Sequence, residues 1–177
     1  MKRIFLVLGA VVAIFAAFVA TRPSEYKVER SVVVGTTASS VFPRVVIFRR
    51  WTTWSPWANL DPSMKVEYSG PKGGVGSVYY WKGNDKVGEG RMTMTSALWD
   101  QLVDIKLQFI KPWEQTSKTS FTFQPEGAGT KVTWSMTGER DFVGKLFGLF
   151  MDMDKMVGPD FEKGLQALKA QAEKSEE

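Results

Sequence analysis

Three consecutive runs of this chain alternate apolar and polar residues, and a single helical stripe follows them. In an extended chain Val103, Ile105, Leu107 and Phe109 fall on one face while Asp104, Lys106 and Gln108 fall on the other. Phe121 and Phe123 repeat the pattern with Thr119, as do Val132, Trp134 and Met136, with Pro125 to Gly129 supplying the turn between the two runs. Such strict alternation demands a sheet with one dry face and one wet face. After Gly138 the period changes. Leu146, Leu149, Phe150, Met153, Val157, Phe161, Leu165 and Leu168 recur at spacings of three and four, which predicts one long amphipathic helix with a kink or restart at Gly158-Pro159. That stripe must be buried, and the dry face of the sheet is the partner of matching size.

The segment before these runs completes the set. Tyr26 to Val34 reads as a valine-rich strand, Ser39 to Phe48 as a short helix with Pro43 in its first turn, and Trp51 to Trp57 as a helical turn and loop. Met64 to Tyr68, Val75 to Trp81 and Lys86 to Ser96 read as strands separated by glycine-rich turns. Gly88 and Gly90 form no phosphate loop, since no helix and lysine follow, and they mark a bend or bulge. The charged residues from Lys169 to Glu177 are expected to fray.

Residues 4 to 20 carry no charge and follow Lys2 and Arg3. At about 1.5 Å rise per residue they reach roughly 25 Å, near the shorter limit for crossing a bilayer core. A cleaved signal would need small residues at both −3 and −1, but a cut after Ala20 puts Phe18 at −3 and a cut after Ala17 puts Phe15 there. The reading is therefore an anchor over 1–22 and a single domain over 23–177, with Lys2 and Arg3 cytoplasmic and the domain extracytoplasmic. Secretion after signal cleavage is the alternative.

Composition excludes several functions. The net charge is +4, but taking Lys2, Arg3 and Arg22 from 23 basic residues leaves 20 against 19 acidic ones, without a block of like charge. A nucleic-acid partner is not expected. The absence of cysteine and histidine removes thiol chemistry, disulfides, Ser-His pairs and the usual zinc sites. No cofactor, metal or catalytic residue is assigned. Asp152 and Asp154 are too divergent on a helix to hold a metal, and Glu89 with Arg91 reads as an outward ion pair rather than a held base.

The element order, together with several local strings, resembles the START-like (SRPBCC) superfamily and its polyketide cyclase/dehydrase-like members. The strings include Val28-Glu29-Arg30-Ser31, Phe48-Arg49-Arg50-Trp51, Trp54-Ser55-Pro56-Trp57, Val87-Gly88-Glu89-Gly90-Arg91-Met92, Phe109-Ile110-Lys111-Pro112 and Gly129-Thr130-Lys131-Val132-Thr133-Trp134. The resemblance implies an α+β helix-grip fold, a curved antiparallel sheet of about seven strands around a long C-terminal helix, over residues 26 to 172. It also implies an apolar cavity, which Trp54, Trp81, Met92, Met94, Leu107, Phe109, Phe121, Trp134, Met136, Phe150, Met153 and Val157 would line; ordinary core is the competing reading for each. The expected partner is a hydrophobic small molecule or lipid, with membrane attachment through residues 4–20. The alternatives are a cyclase-type enzyme using a carboxylate or tyrosine, with Glu89, Glu114, Tyr79 and Tyr80 as players, and an envelope module with a filled core.

Overall fold

A computed structural model describes residues 2–174. The chain runs α1 (Lys2–Ala20), β1 (Glu25–Val34), α2 (Ala38–Val46), a 3-10 turn (Phe48–Thr53), β2 (Lys65–Ser69), β3 (Val78–Lys82), β4 (Glu89–Leu98), β5 (Leu102–Lys111), β6 (Gln115–Glu126), β7 (Gly129–Glu139), α3 (Phe142–Phe147) and α4 (Met153–Glu173). The strands form one antiparallel sheet in the order β1-β7-β6-β5-β4-β3-β2. This is a helix-grip architecture.

The alternation sets the register. Val103 and Ile105, Phe121 and Phe123, and Val132, Trp134 and Met136 are buried, and they stand in line across β5, β6 and β7. The β6–β7 turn is tighter than Pro125 to Gly129. Pro125 pairs with Thr130 and Glu126 with Gly129, so a two-residue turn closes on Gly127 at φ +61°. The ladder slips between Glu89 and Gly90, as the two glycines implied, and a Cβ on Gly90 would run into the Trp81 indole.

The helical stripe is divided where its period gave no sign of a break. α3 ends at Phe147, and α4 begins again at Met153 with the Asp152 carboxylate accepting from the Asp154 N–H at 3.0 Å. Leu149 and Phe150 thus fall in the link. Pro159, in contrast, does not interrupt α4. It forfeits one backbone bond, while Gly158 before it has no Cβ to crowd the ring. Pro43 likewise lies inside α2 rather than in its first turn.

The C-terminal end of α4 does not fray from Lys169. Glu173 Oε1 accepts from the Gly35 N–H at 2.7 Å, and Lys169 Nζ donates to the Val33 carbonyl at 2.8 Å, tying the helix to the end of β1. Ser175 to Glu177 of that tail lie outside the described residues. At the other end Arg30 clamps α4 to β1, donating to both Asp154 oxygens at 2.7 and 2.9 Å and to Glu162 at 2.6 Å. Gly158 leaves the room this guanidinium occupies.

In α1, Arg3–Ala20 has a mean hydropathy of 2.5 with 6% of it buried. It is long and apolar enough to cross a membrane, and the same segment meets the requirements of a signal sequence.

Candidate functional site: an apolar strip inside the grip

The inner face of the sheet has two halves. Toward β1 and β7 it is packed solid by aromatic rings. Trp134 stacks on Phe161 of α4 at 4.0 Å and 8°, and on Phe121 at 4.8 Å and 27°. Trp51, Trp54 and Trp57 meet it edge-on at 6.2, 5.7 and 5.7 Å. Gly164 permits the close approach, because a Cβ there would stand 2.8 Å from the Trp134 ring and 3.1 Å from Pro56. Of the residues expected to line a cavity, Trp54, Phe121, Trp134, Met94 and Met136 therefore sit in this core, each 5% exposed or less.

Toward β3 and the adjoining Gly90–Met92 and Leu107–Phe109 ends of β4 and β5 the packing loosens, while Met94, Val103 and Ile105 further along those strands stay buried. α4 lies along β1 and also meets β7, α2 and the 3-10 turn. On the strands beyond, Tyr79, Met92, Leu107 and Phe109 of the inner face are only half-buried, with Tyr68 beside Tyr79 and Trp81 edge-on to Phe109. Met153 and Val157 of α4 are half-buried against the main core. Phe150 stands apart, 82% exposed. The break before α4 turns it out of the stripe on which the sequence placed it.

Polar groups close one end of this inner face, and the sequence reading did not single them out. Tyr26 Oη lies 2.8 Å from Ser117 Oγ and accepts from Gln115 Nε2 at 2.9 Å. Thr119 follows on the same face of β6, and its hydroxyl is buried with no hydrogen-bond partner among the described residues. The signal was available: Gln115, Ser117 and Thr119 continue the inward period of Phe121 and Phe123, and polar residues at dry positions are otherwise unfavourable.

Acid–base chemistry is placed elsewhere. Glu89 points outward, accepting from Tyr80 Oη at 2.8 Å with Lys82 and Lys111 each at 3.6 Å. The Tyr80 hydrogen bond, aided by the two lysines, holds its carboxyl below the usual range. Arg91 is exposed, and so is Glu114 in the β5–β6 turn. Of the named players Tyr79 alone faces inward, and burial pushes its phenol up to about 12. It is thus a hydrogen-bond donor at neutral pH and cannot serve as a base. Asp154 is engaged by Arg30, and Asp152 caps α4. Among the described residues no three acidic side chains converge on a metal.

Two depressions mark the surface of the sheet. One of about 880 Å³ is open to solvent and includes Lys27, Lys106, Lys118, Thr116 and Thr137, residues of the outward period. The other, of about 350 Å³, lies at the end of β5 and the start of β6 and includes Phe109, Ile110, Glu114 and Gln115.

No curated protein matches the sequence. Solved structures resemble the fold. Protein CV1439 from Chromobacterium violaceum is 11% identical with a TM-score of 0.60, covering 83% of this chain and 96% of that one. Protein Mll3558 from Rhizobium loti is 21% identical with a TM-score of 0.56, covering 83% and 95%. The di-domain aromatase/cyclase StfQ of the steffimycin biosynthetic pathway is 11% identical with a TM-score of 0.63; the match covers 86% of this chain and 52% of that one. The family model described as polyketide cyclase/dehydrase and lipid transport matches residues 25–173, nearly the whole domain that carries the grip. By that match the chain belongs to the polyketide cyclase/dehydrase and lipid transport family.

Proposed function

We propose that this chain is a membrane-anchored protein that binds a hydrophobic small molecule of the lipid class, without catalysis, in the strip between Tyr79, Met92, Leu107 and Phe109 and the first turns of α4. The observation that carries the reading is the pairing of half-exposed apolar side chains with a buried, unpartnered Thr119 hydroxyl on one inner face. An acyl chain laid on the strip gains about 0.8 kcal/mol per buried CH₂. Its polar end would meet Thr119 and the Tyr26–Ser117 pair. Residues 4–20 remain as the anchor, and Lys2 and Arg3 hold the N-terminus in the cytoplasm, leaving the domain outside it.

The cyclase-type reading weakens on the positions of the candidate acids and bases. Glu89 and Tyr80 pair with each other on the outer face. Tyr68 and Tyr79, which do face the strip, are both raised by burial, so neither is available as a base at neutral pH.

Native mass spectrometry of the full chain from detergent micelles tests the binding. Adducts with the mass of fatty acids or phospholipids are expected, and Leu107→Trp, which fills the strip, should abolish them while leaving the far-UV spectrum unchanged. A parent chain that carries no adduct and takes up neither palmitate, phosphatidylglycerol nor a sterol overturns the reading.

A further inference from the structure

α3 has no buried residue, yet it is among the most apolar stretches of the domain. Phe142, Val143 and Phe147 are 49%, 54% and 57% exposed, and Phe150, Met151 and Met156 beyond it are 82%, 42% and 55% exposed. Such side chains, left exposed, add no stability to a helix in water. A contiguous apolar patch of this kind marks an interaction surface.

The patch adjoins the anchor. Val19 at the end of α1 is fully buried, Lys145 Nζ of α3 donates to the Ala20 carbonyl at 3.1 Å, and the Arg140 N–H donates to the Ser24 carbonyl at 2.7 Å. The domain therefore does not swing on a loose tether. The register brings a further exposed aromatic to the same end. β1 begins where β7 ends, with Glu25 opposite Glu139, and Ser117 near the start of β6 pairs with Gly138. The β5–β6 turn that carries Trp113, 66% exposed, lies at that end too. Trp99, equally exposed, lies at the opposite end in the β4–β5 turn.

We infer that Phe142–Met151, with Trp113 as a second contact, docks onto the bilayer surface, its rings at headgroup depth and Lys145 held at the end of the anchor by the Ala20 carbonyl. Phenylalanine and tryptophan suit that depth, and an amphipathic segment beside a spanning helix needs no long-range search to reach it. Docking also sets the β5–β6 end of the strip, with Phe109 and Ile110, against the lipid phase, so the ligand enters from the membrane rather than from solution. The inference rests on α1 being retained as an anchor.

The chain has no cysteine, so single nitroxide labels can be placed cleanly. Phe150→Cys, Val143→Cys, Trp99→Cys and Ala13→Cys are introduced separately into the full chain, reconstituted in phosphatidylcholine/phosphatidylglycerol vesicles and read by power-saturation EPR with oxygen and a water-soluble nickel chelate. Labels at 143 and 150 are expected to show the oxygen-rich, nickel-poor signature of lipid, and the label at 99 the reverse. Water-phase accessibility at both 143 and 150, with residue 13 in the lipid phase and native far-UV spectra, overturns docking while sparing the anchor. Recovery of the protein from its own cells without residues 1–20 and outside the membrane fraction overturns the anchor and the docking geometry together.

Discussion

Replacing Trp134 by alanine measures how much of the grip is filled. The side chain is 2% exposed and stacked between Phe121 and Phe161. A tryptophan buries on the order of 200 Å², which at about 25 cal/mol/Å² corresponds to roughly 5 kcal/mol as an upper estimate. The indole N–H is buried without a partner among the described residues, so its removal returns about 1 kcal/mol of desolvation. A net loss of about 3–5 kcal/mol is expected, a large part of the stability of one domain. Urea unfolding of the full chain in a mild detergent, followed by far-UV circular dichroism, gives the number, with an unchanged slope showing that the denatured state is unaltered. Trp99→Ala is the internal reference. Its ring is 66% exposed and meets Phe42 at 5.1 Å, so it should lose less than about 1.5 kcal/mol. If Trp134→Ala proves no more destabilising than Trp99→Ala, the ring sits over empty space and the solid aromatic half of the interior is wrong.

Further consequences can be measured in the same way. Thr119→Val exchanges an unpartnered hydroxyl for a methyl group of similar size, so the empty protein should gain up to about 1 kcal/mol while its lipid adducts weaken; a change of the same sign in both would contradict a ligand role for that hydroxyl. Gly164→Val places a branched side chain where Trp134 and Pro56 already stand, and should lower stability by about 1–3 kcal/mol by lifting α4 from β7, seen as faster amide exchange along residues 161–168. Arg30 holds the Asp154 carboxyl below its ordinary value, so the clamp contributes stability above the usual aspartate range and loses it as pH falls through the depressed value; Arg30→Met should lower the melting temperature at pH 7 and flatten its decline toward acid. Alkaline difference absorbance should show a phenol titrating at about 12 that Tyr79→Phe removes.

Sequence and structure agree where burial is one-sided. The alternation through Val103 to Phe109, Thr119 to Phe123 and Val132 to Met136 specified β5, β6 and β7 because a slip of one residue would expose every apolar side chain. The break between α3 and α4 was hidden, since the spacing from Leu149 to Met153 is helical whether or not the backbone is. What starts the helix afresh at Met153 is local capping by Asp152, a hydrogen bond that hydrophobic period does not register. For the same reason the sequence assigned Phe150 to the interior. The candidate site was half legible. An inward period identifies Met92, Leu107 and Trp134 alike, and only the position of α4 over β1 and β7 separates the ring stack from the open strip. That position depends on Gly164 and Gly158, whose missing side chains carry no signal of their own in a hydrophobic pattern.

The pairing of β1 with β7 also imposes a timetable. Glu25 finds its partner only when Glu139 has been made, and a ribosome adds about 5–20 residues per second, so β1 waits on the order of ten seconds with its ladder groups open. During synthesis this unpaired edge is able to join a neighbouring copy. Lys27, Glu29 and Arg30, spaced through the valines of the strand, place charge along that edge until its own last strand arrives.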